Sequence, residues 1–306
     1  MGSQSRQAVS IAYVTGHHFG VQALDGLLTS PEYNQRLLDI RVIFGLPRRM
    51  ESETVGYRQA YQQAKAHGIQ YLEAHDFRLT SYVELIRSYQ IDALVVIGWS
   101  YLIPEEVRSA VRMKRDGIPV AIGMHPSPLP VGRGRAPIPW TILNELEKTA
   151  LSVFLLTDEA DAGPIIFQID CHLDRNETSS TLYQKFAHLH RKAGQRLASS
   201  LVKGLPHIRA QDEERATIWK RRRPSDGQIT QSLTVEQALR LFRAQSSPYP
   251  TCFIMKAGTP VEVLGLRTTL PSDASDWSRY VIMDGVIWLK LGRRINGVQP
   301  VSKERS

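Results

Sequence analysis

The chain has few cysteines and no long apolar run. Its 306 residues include two cysteines, Cys171 and Cys252, which lie far apart and follow no metal-binding spacing. This excludes a small disulfide-stapled fold and favours structural thiols in a reducing compartment. The longest apolar runs, such as ALVVIG at 93–98, are far too short to cross a bilayer. The polar start, MGSQSRQAVS, holds no apolar stretch for a secretion signal, so we expect a cytoplasmic protein without membrane contact.

The chain also lacks a dinucleotide-binding fingerprint after its first predicted strand and a metal-binding spacing at its adjacent histidines. No G-x-G-x-x-G follows the first predicted strand, and TGHHFG at 15–20 is a poor match, which argues against a dinucleotide-binding fold in the strict sense. His17 and His18 are adjacent and have no partner at a metal spacing, so we expect no metal. The chain contains no internal repeat and no low-complexity tract, which excludes a repeat architecture.

The charge balance is strongly basic. The formal net charge is +8, and the densest basic run is WKRRRP at 219–224. A basic surface suits nucleic acid and a small phosphorylated substrate equally well. Because such a run most often forms a solvated face, charge alone leaves both partners open.

Strand-like and helix-like segments alternate through the N-terminal two thirds of the chain. VSIAYVTG at 9–16 and IDALVVIGW at 91–99 have the composition of buried strands, and TVGYRQAYQQAKAHG at 54–68 is typical of a helix that ends at a glycine. This alternation predicts an α/β fold with a Rossmann-like, mostly parallel sheet. Further on, strand-like runs separated by Gly and Asp turns predict a smaller β-rich, OB-like domain. We place the two domains at 1–204 and 205–306.

A stiff, basic turn follows the predicted strand VAIGMH at 120–125. The turn reads PSPLPVGRGRAP, and its prolines restrict the backbone, which suits a site that must hold a side chain still. His125 ends the strand and therefore lies at the edge of the sheet where α/β proteins bind ligands. Asp161 follows the next long strand-like run, in TDEADAGPII at 157–166. If the two strands are neighbours, the carboxylate can orient the imidazole; the alternative is an incidental histidine and an ordinary acidic turn.

Together these segments resemble a known family. HPSPLP, GRGRAPIPW and ADAGPII, with His125 and Asp161 thirty-six positions apart, are similar to the formyltransferases that use 10-formyltetrahydrofolate. The hallmarks of that family are Asn-x-His, Ser-Leu-Leu-Pro, a basic turn, Ala-Pro-Ile and Asp-x-Gly. GWSYLIP at 98–104 resembles the loop beside the folate, and SSPYPTCF at 246–253 resembles the C-terminal domain of two branches of the family. The resemblance thus covers nearly the whole chain.

The resemblance implies an acyl transfer in which an amine attacks the formyl carbon carried by the folate. His125 would act as the general base or as a donor to the oxyanion, and Asp161 would position it. The family's asparagine is replaced here by Gly123, which offers only its backbone N–H. Loss of such a donor typically costs about a hundred- to a thousandfold in turnover.

The resemblance also implies the binding residues. For the folate co-substrate, 10-formyltetrahydrofolate, the expected residues are Trp99, Tyr101, Leu102, Thr157 and Glu159. Arg133 and Arg135 are expected to bind a substrate diphosphate, because guanidinium matches phosphate in a bidentate geometry.

The details of the motifs resemble one branch most. GRAPIPW and ADAGPII are most similar to the enzymes that formylate an amino sugar on a nucleoside diphosphate, whereas the tRNA branch more typically has GAAPI and LDTGDM. This implies a nucleotide sugar as the small-molecule partner and, as often in that branch, a homodimer. Two alternatives stay open: a methionyl-tRNA formyltransferase with tRNA as its partner, and a folate-binding relative that lost its activity with the asparagine.

Overall fold

The computed structural model describes residues 7–295, so the first six residues of the predicted polar start lie outside the described residues. The helices are α1 (His18–Leu28), α2 (Pro31–Asn34), α3 (Tyr61–His67), α4 (Val83–Ser88), α5 (Glu105–Arg108), α6 (Pro137–Leu143), α7 (Ser179–Val202) and α8 (Val235–Ala244). The strands are β1 (Val9–Thr15), β2 (Leu38–Gly45), β3 (Gln70–Glu73), β4 (Ala93–Val96), β5 (Lys114–Arg115), β6 (Ile118–Pro119), β7 (Ala121–His125), β8 (Arg133–Gly134), β9 (Lys148–Leu155), β10 (Ile165–His172), β11 (Ile218–Trp219), β12 (Phe253–Lys256), β13 (Thr259–Arg267), β14 (Trp277–Ile282) and β15 (Gly285–Arg294).

The chain forms two compact units. The first is built from the described part of Met1–Gly134 together with Lys148–His172 and Gln184–Ile218. The second is built from Arg135–Glu147, Leu173–Tyr183 and the described part of Trp219–Ser306. Both units thus draw on separate parts of the chain, and the domain boundary after residue 204 stays a prediction.

A seven-stranded sheet forms the centre of the first unit. Its strand order is β10-β9-β7-β4-β1-β2-β3. The five strands from β7 to β3 in that order are parallel, while β9 runs antiparallel to β7 and β10 antiparallel to β9. The prediction of a mostly parallel α/β sheet is confirmed.

The central parallel strands, β1 and β4, form because most of their side chains are apolar and buried. All four residues of β4 are buried, and β1 is buried from its second residue onward. Strands of a parallel sheet covered on both faces have this continuous apolar composition rather than an alternating one. Leu94 and Val96 of β4 pack in one cluster with Phe44 of β2 and Ile86 of α4, which holds the central strands in place below the loops that follow them.

The second unit contains an antiparallel sheet of four strands, in the order β12-β13-β15-β14. Helix α8 begins with a capping box in which Thr234 and Gln237 satisfy each other's backbone N–H groups. Ala238 and Leu241 of that helix pack with Ile287 and Leu289 of β15. The predicted small β-rich unit beyond the main sheet is confirmed.

The adjacent histidines of TGHHFG serve the start of α1. His17 is its N-cap, and its Nδ1 accepts a hydrogen bond from the backbone N–H of Phe19 at 3.1 Å. The Phe19 ring stacks on His190 of α7, with 4.5 Å between ring centroids. Burial lowers the pKa of His17 to about 4 and the pKa of His190 to about 3. Both rings are therefore neutral in the folded protein near neutral pH.

These buried rings make stability depend on pH. A histidine whose folded pKa is lowered stabilises the protein fully above its unfolded pKa of 6.5, and that stability is lost as the pH falls toward the folded value. We expect the free energy of unfolding to drop by up to ~1.4 kcal/mol per pH unit for each ring in this window. Urea titrations at several pH values test this. The slope should be smaller in His190→Phe than in the wild type; equal slopes in the two proteins would contradict it.

Candidate active site

His125 is the last residue of β7 and is 7% exposed. Its Nε2 lies 2.8 Å from the carbonyl oxygen of Gly132, in the basic turn that follows the strand. Because a carbonyl can only accept, Nε2 carries the proton, and the lone pair of the neutral ring is on Nδ1. The fold of the turn thus selects the tautomer of His125.

Asp161 lies against that lone-pair side of the ring. Its Oδ2 is 3.6 Å from His125 Nδ1 and also accepts a hydrogen bond from the backbone N–H of Gly134 at 2.9 Å. The carboxylate is mostly buried, with 18% of its side chain exposed. A carboxylate in this place can accept a hydrogen bond from Nδ1 once that atom carries a proton.

The chain brings these two side chains together by a less direct route than two parallel strands would give. β9 is antiparallel to β7, and Leu155 pairs with Ile122 while Ser152 pairs with His125. The end of β9 is therefore level with the start of β7, away from His125. The connection between β9 and β10 has to return along the sheet to carry Asp161 to the imidazole.

The glycine of the Asp-x-Gly motif permits this return. A Cβ at Gly163 would lie 1.8 Å from the backbone oxygen of Leu155. Only glycine allows two backbones to approach this closely. Asp161 itself has a φ of 58°, a left-handed conformation that aspartate tolerates better than most residues.

Gly123 is two residues before His125 on β7, so the two positions face the same side of the sheet. A Cβ on Gly123 would lie 2.8 Å from Cδ2 of Leu156 and 3.0 Å from Cζ of Phe154. These apolar side chains occupy the space that an asparagine would enter. Gly123 pairs with Val96 on one side and with Phe154 on the other, so its N–H lies within the sheet ladder. The role of its backbone as a replacement donor stays a prediction, and the ladder argues against it.

The family model described as formyl transferase matches residues 42–196, a stretch that includes both His125 and Asp161. This chain belongs to the formyl transferase family. A methionyl-tRNA formyltransferase of Bacillus cytotoxicus is 28% identical over 252 residues, which cover 79% of this chain and 77% of that protein. The predicted membership of an enzyme family of formyltransferases is confirmed.

Two solved structures share the fold of this formyl transferase. One is an N-formyltransferase of Helicobacter canadensis in complex with folinic acid and dTDP-3-aminofucose, with a TM-score of 0.67, 13% identity, and coverage of 92% of this chain and 99% of that one. The other is WlaRD, a sugar 3N-formyl transferase with dTDP and 5-N-formyl-THF, with a TM-score of 0.65, 15% identity, and coverage of 95% and 99%. At these identities the likeness establishes the architecture only.

The predicted folate-binding residues of the formyl transferase lie on two segments. After β4, Trp99 and Tyr101 contact Phe77 with ring centroids 6.2 and 4.8 Å away, and Trp99 Nε1 donates to the Phe77 carbonyl at 2.8 Å. Leu102 beside them is 53% exposed. On the β9–β10 connection, the Thr157 hydroxyl donates to the Glu159 carbonyl at 3.2 Å. The binding role of these residues stays a prediction.

The two predicted phosphate-binding arginines differ in their surroundings. Arg133 is 7% exposed, and its guanidinium donates to Gln211 and to both carboxylate oxygens of Glu213, the latter at 2.7 and 2.8 Å. Most of its donors are therefore engaged within the protein. Arg135 has an exposed side chain, and its backbone N–H donates to the carbonyl of Trp219. Of the two, Arg135 is the more exposed residue, and the phosphate contact of both stays a prediction.

Sequence reasoning missed the segment that orders the basic turn. The hydroxyl of Thr217 accepts from the backbone N–H of Gly132 at 2.8 Å, and its carbonyl accepts from the N–H of Arg133 at 2.9 Å. Gln211 and Glu213 hold the Arg133 side chain. These residues lie in the polar stretch before β11, and no motif or periodicity distinguishes them.

Residues 7–295, the part of the chain that the structure describes, contain neither a metal-binding cluster nor a membrane-spanning helix. No group of three or more His, Cys, Asp or Glu side chains there is arranged to hold a metal ion. No helix there is long and apolar enough to span a membrane.

Proposed function

We propose that this formyl transferase moves a formyl group from 10-formyltetrahydrofolate to the amine of a nucleotide-linked amino sugar. The observation that carries the proposal is the buried pair of His125 and Asp161, 3.6 Å apart. An imidazole with a fixed tautomer beside a carboxylate is the arrangement that proton transfer in acyl transfer requires.

His125 has the chemistry that the reaction needs. Nδ1 takes a proton as the neutral amine attacks the formyl carbon, while Nε2–H remains bonded to Gly132. Asp161 stabilises the resulting imidazolium. His125 returns the proton as the bond between the formyl carbon and the folate nitrogen breaks, so no net proton is gained or lost by the protein. The folate supplies the activated one-carbon group when it is bound.

The remaining residues fit the folate in part. Trp99 and Tyr101 offer aromatic rings packed edge to face, and Leu102 adds exposed apolar surface. The backbone near Thr157 and Glu159 offers main-chain polar groups. Gly123 leaves the site without the side-chain donor that the family places there. Arg133 and Arg135 are proposed to act on the phosphate side, Arg133 by shaping the turn and Arg135 by direct contact.

The acceptor is tested with the purified protein. We expect release of tetrahydrofolate and an N-formyl product when 10-formyltetrahydrofolate is supplied with one member of a panel of nucleoside-diphosphate 3-amino and 4-amino deoxysugars. The support for this class is the similarity of GRAPIPW and ADAGPII to the sugar branch, together with neighbours of the same fold that were solved with dTDP or dTDP-3-aminofucose. A panel that yields no product with any sugar would overturn the assignment.

Methionyl-tRNA is the second candidate acceptor. It is favoured by the sequence relatives, which are methionyl-tRNA formyltransferases, and by one face of the second unit. There Trp288 of β15 lies between Arg267 and Arg279 on the neighbouring strands, and alternating cations and aromatic rings suit nucleic acid. A salt-sensitive gel shift with aminoacylated initiator tRNA would favour this acceptor, and its absence at low salt would exclude it. The homodimer stays a prediction.

A further inference from the structure

We propose that Gln211 is a positioning residue that holds Asp161 beside His125. It lies beyond the matched family segment, 42–196, in the stretch before β11. Its Nε2 donates to two backbone carbonyls of the β9–β10 connection, that of Asp161 and that of Gly163, each at 2.8 Å. The expected effect on kcat rests on the proposed formyl transfer, whereas the expected effect on the position of Asp161 does not.

The orientation of the Gln211 amide follows from its neighbours. Its Oε1 accepts from Nε and Nη2 of Arg133 at 3.1 and 2.9 Å. A guanidinium only donates and a carbonyl only accepts, so the amide oxygen must face Arg133 and the amide nitrogen must face the two carbonyls. One side chain therefore ties the basic turn to the Asp-x-Gly turn.

These are the two turns that define the geometry of the pair. The basic turn supplies the Gly132 carbonyl that binds His125 and the Gly134 N–H that binds Asp161. The Asp-x-Gly turn supplies Asp161, whose backbone has a positive φ that must be held by its surroundings. Because Gln211 binds the carbonyls of residues 161 and 163, it holds the backbone of the turn from which the Asp161 carboxylate projects.

Glu213 supports the same arrangement from the outside. Its carboxylate binds Arg133 through two nitrogens at 2.7 and 2.8 Å, which orients the guanidinium toward Gln211. The Glu213 side chain is 66% exposed. Solvent weakens such an ion pair, so we assign the larger share of the positioning to Gln211.

Gln211→Glu tests the proposal. Glutamate keeps an oxygen for Arg133 but replaces the two N–H donations by an oxygen facing two carbonyls. We expect kcat to fall by about a hundredfold, the cost of misplacing a catalytic group by about 1 Å, with KM for the amine unchanged. In a crystal structure the Oδ2–Nδ1 distance should exceed 3.6 Å.

The controls separate positioning from folding and from the choice of reaction. Gln62→Glu makes the same chemical change at an exposed position of α3 and should leave kcat as in the wild type. A fall in kcat with an unchanged Oδ2–Nδ1 distance would show that Gln211 only stabilises the fold, and would overturn the proposal, as would an unchanged kcat. If Gln211→Glu does not fold, Gln211→Met is measured in the same way.

The distance between Asp161 Oδ2 and His125 Nδ1 can be measured whether or not the protein is active. If the wild-type protein forms no formylated product with any acceptor, the proposed function fails, yet crystal structures of wild type and variant still decide whether Gln211 places Asp161. A longer Oδ2–Nδ1 distance in the variant then supports the positioning role, and an equal distance contradicts it.

Discussion

A His125→Gln variant is expected to lose about two to four orders of magnitude in kcat, the usual contribution of a general base. Glutamine can still donate an N–H to the carbonyl of Gly132, so the turn keeps its hydrogen bond. What it removes is the lone pair that faces Asp161 at Nδ1. The measurement is kcat with the acceptor identified from the amino-sugar panel or the tRNA assay.

The matched control is His188→Gln. His188 lies on α7 with an exposed side chain, so the same substitution there changes neither the site nor its neighbours. We expect it to keep the wild-type kcat, and both variants to keep the wild-type thermal midpoint within a few degrees. A His125→Gln protein that retains more than about a tenth of the wild-type kcat would show that the proton moves elsewhere, because a general base is worth more than that.

Restoring the family's asparagine at Gly123 is expected to succeed only with a second substitution. Gly123→Asn alone places its Cβ 2.8 Å from Leu156 Cδ2 and 3.0 Å from the Phe154 ring, and overpacking of this kind costs about 1–3 kcal/mol. We expect a lower unfolding free energy and no gain in kcat. Gly123→Asn combined with Leu156→Ala opens the space, and a side-chain donor that reaches the oxyanion raises kcat by about a hundred- to a thousandfold.

The Leu156→Ala single variant is the control for the pair, since it opens the space without supplying a donor. Urea titrations and kcat for the four proteins complete the cycle. An equal rise in kcat for Gly123→Asn alone would contradict the steric argument. No rise in the double variant would mean that another group already binds the oxyanion, and no activity in any of the four would favour the alternative of a folate-binding relative.

The sheet could be predicted from the sequence because each buried strand is recognisable from the composition of its own few residues. A run such as ALVVIG is apolar throughout, which distinguishes a strand buried on both faces wherever it occurs. An apolar run does not indicate whether its strand lies parallel or antiparallel to the neighbouring strands. For that reason the antiparallel course of β9 was not foreseen, and we expected Asp161 to approach His125 from the end of a neighbouring strand rather than by a returning connection.

The candidate site was predictable where a motif marks it and not elsewhere. His125 and Asp161 stand out because of their surrounding prolines and glycines. Gln211 does not, since a glutamine in a polar stretch has no pattern that reveals its two carbonyl partners fifty residues away. The loss of the asparagine at Gly123 is visible in the sequence, whereas the filling of its space by Leu156 depends on a contact between strands that only coordinates reveal.

The crowding beside Gly123 links the residue at position 123 to the residue at position 156. Asparagine at position 123 alone brings its Cβ too close to Leu156. A smaller residue at position 156 alone leaves a void beside Gly123. We expect each single substitution to lower the free energy of unfolding and the two together to be compatible. We therefore expect the two positions to be coupled, so that the effect of asparagine at position 123 on stability depends on the size of the side chain at position 156.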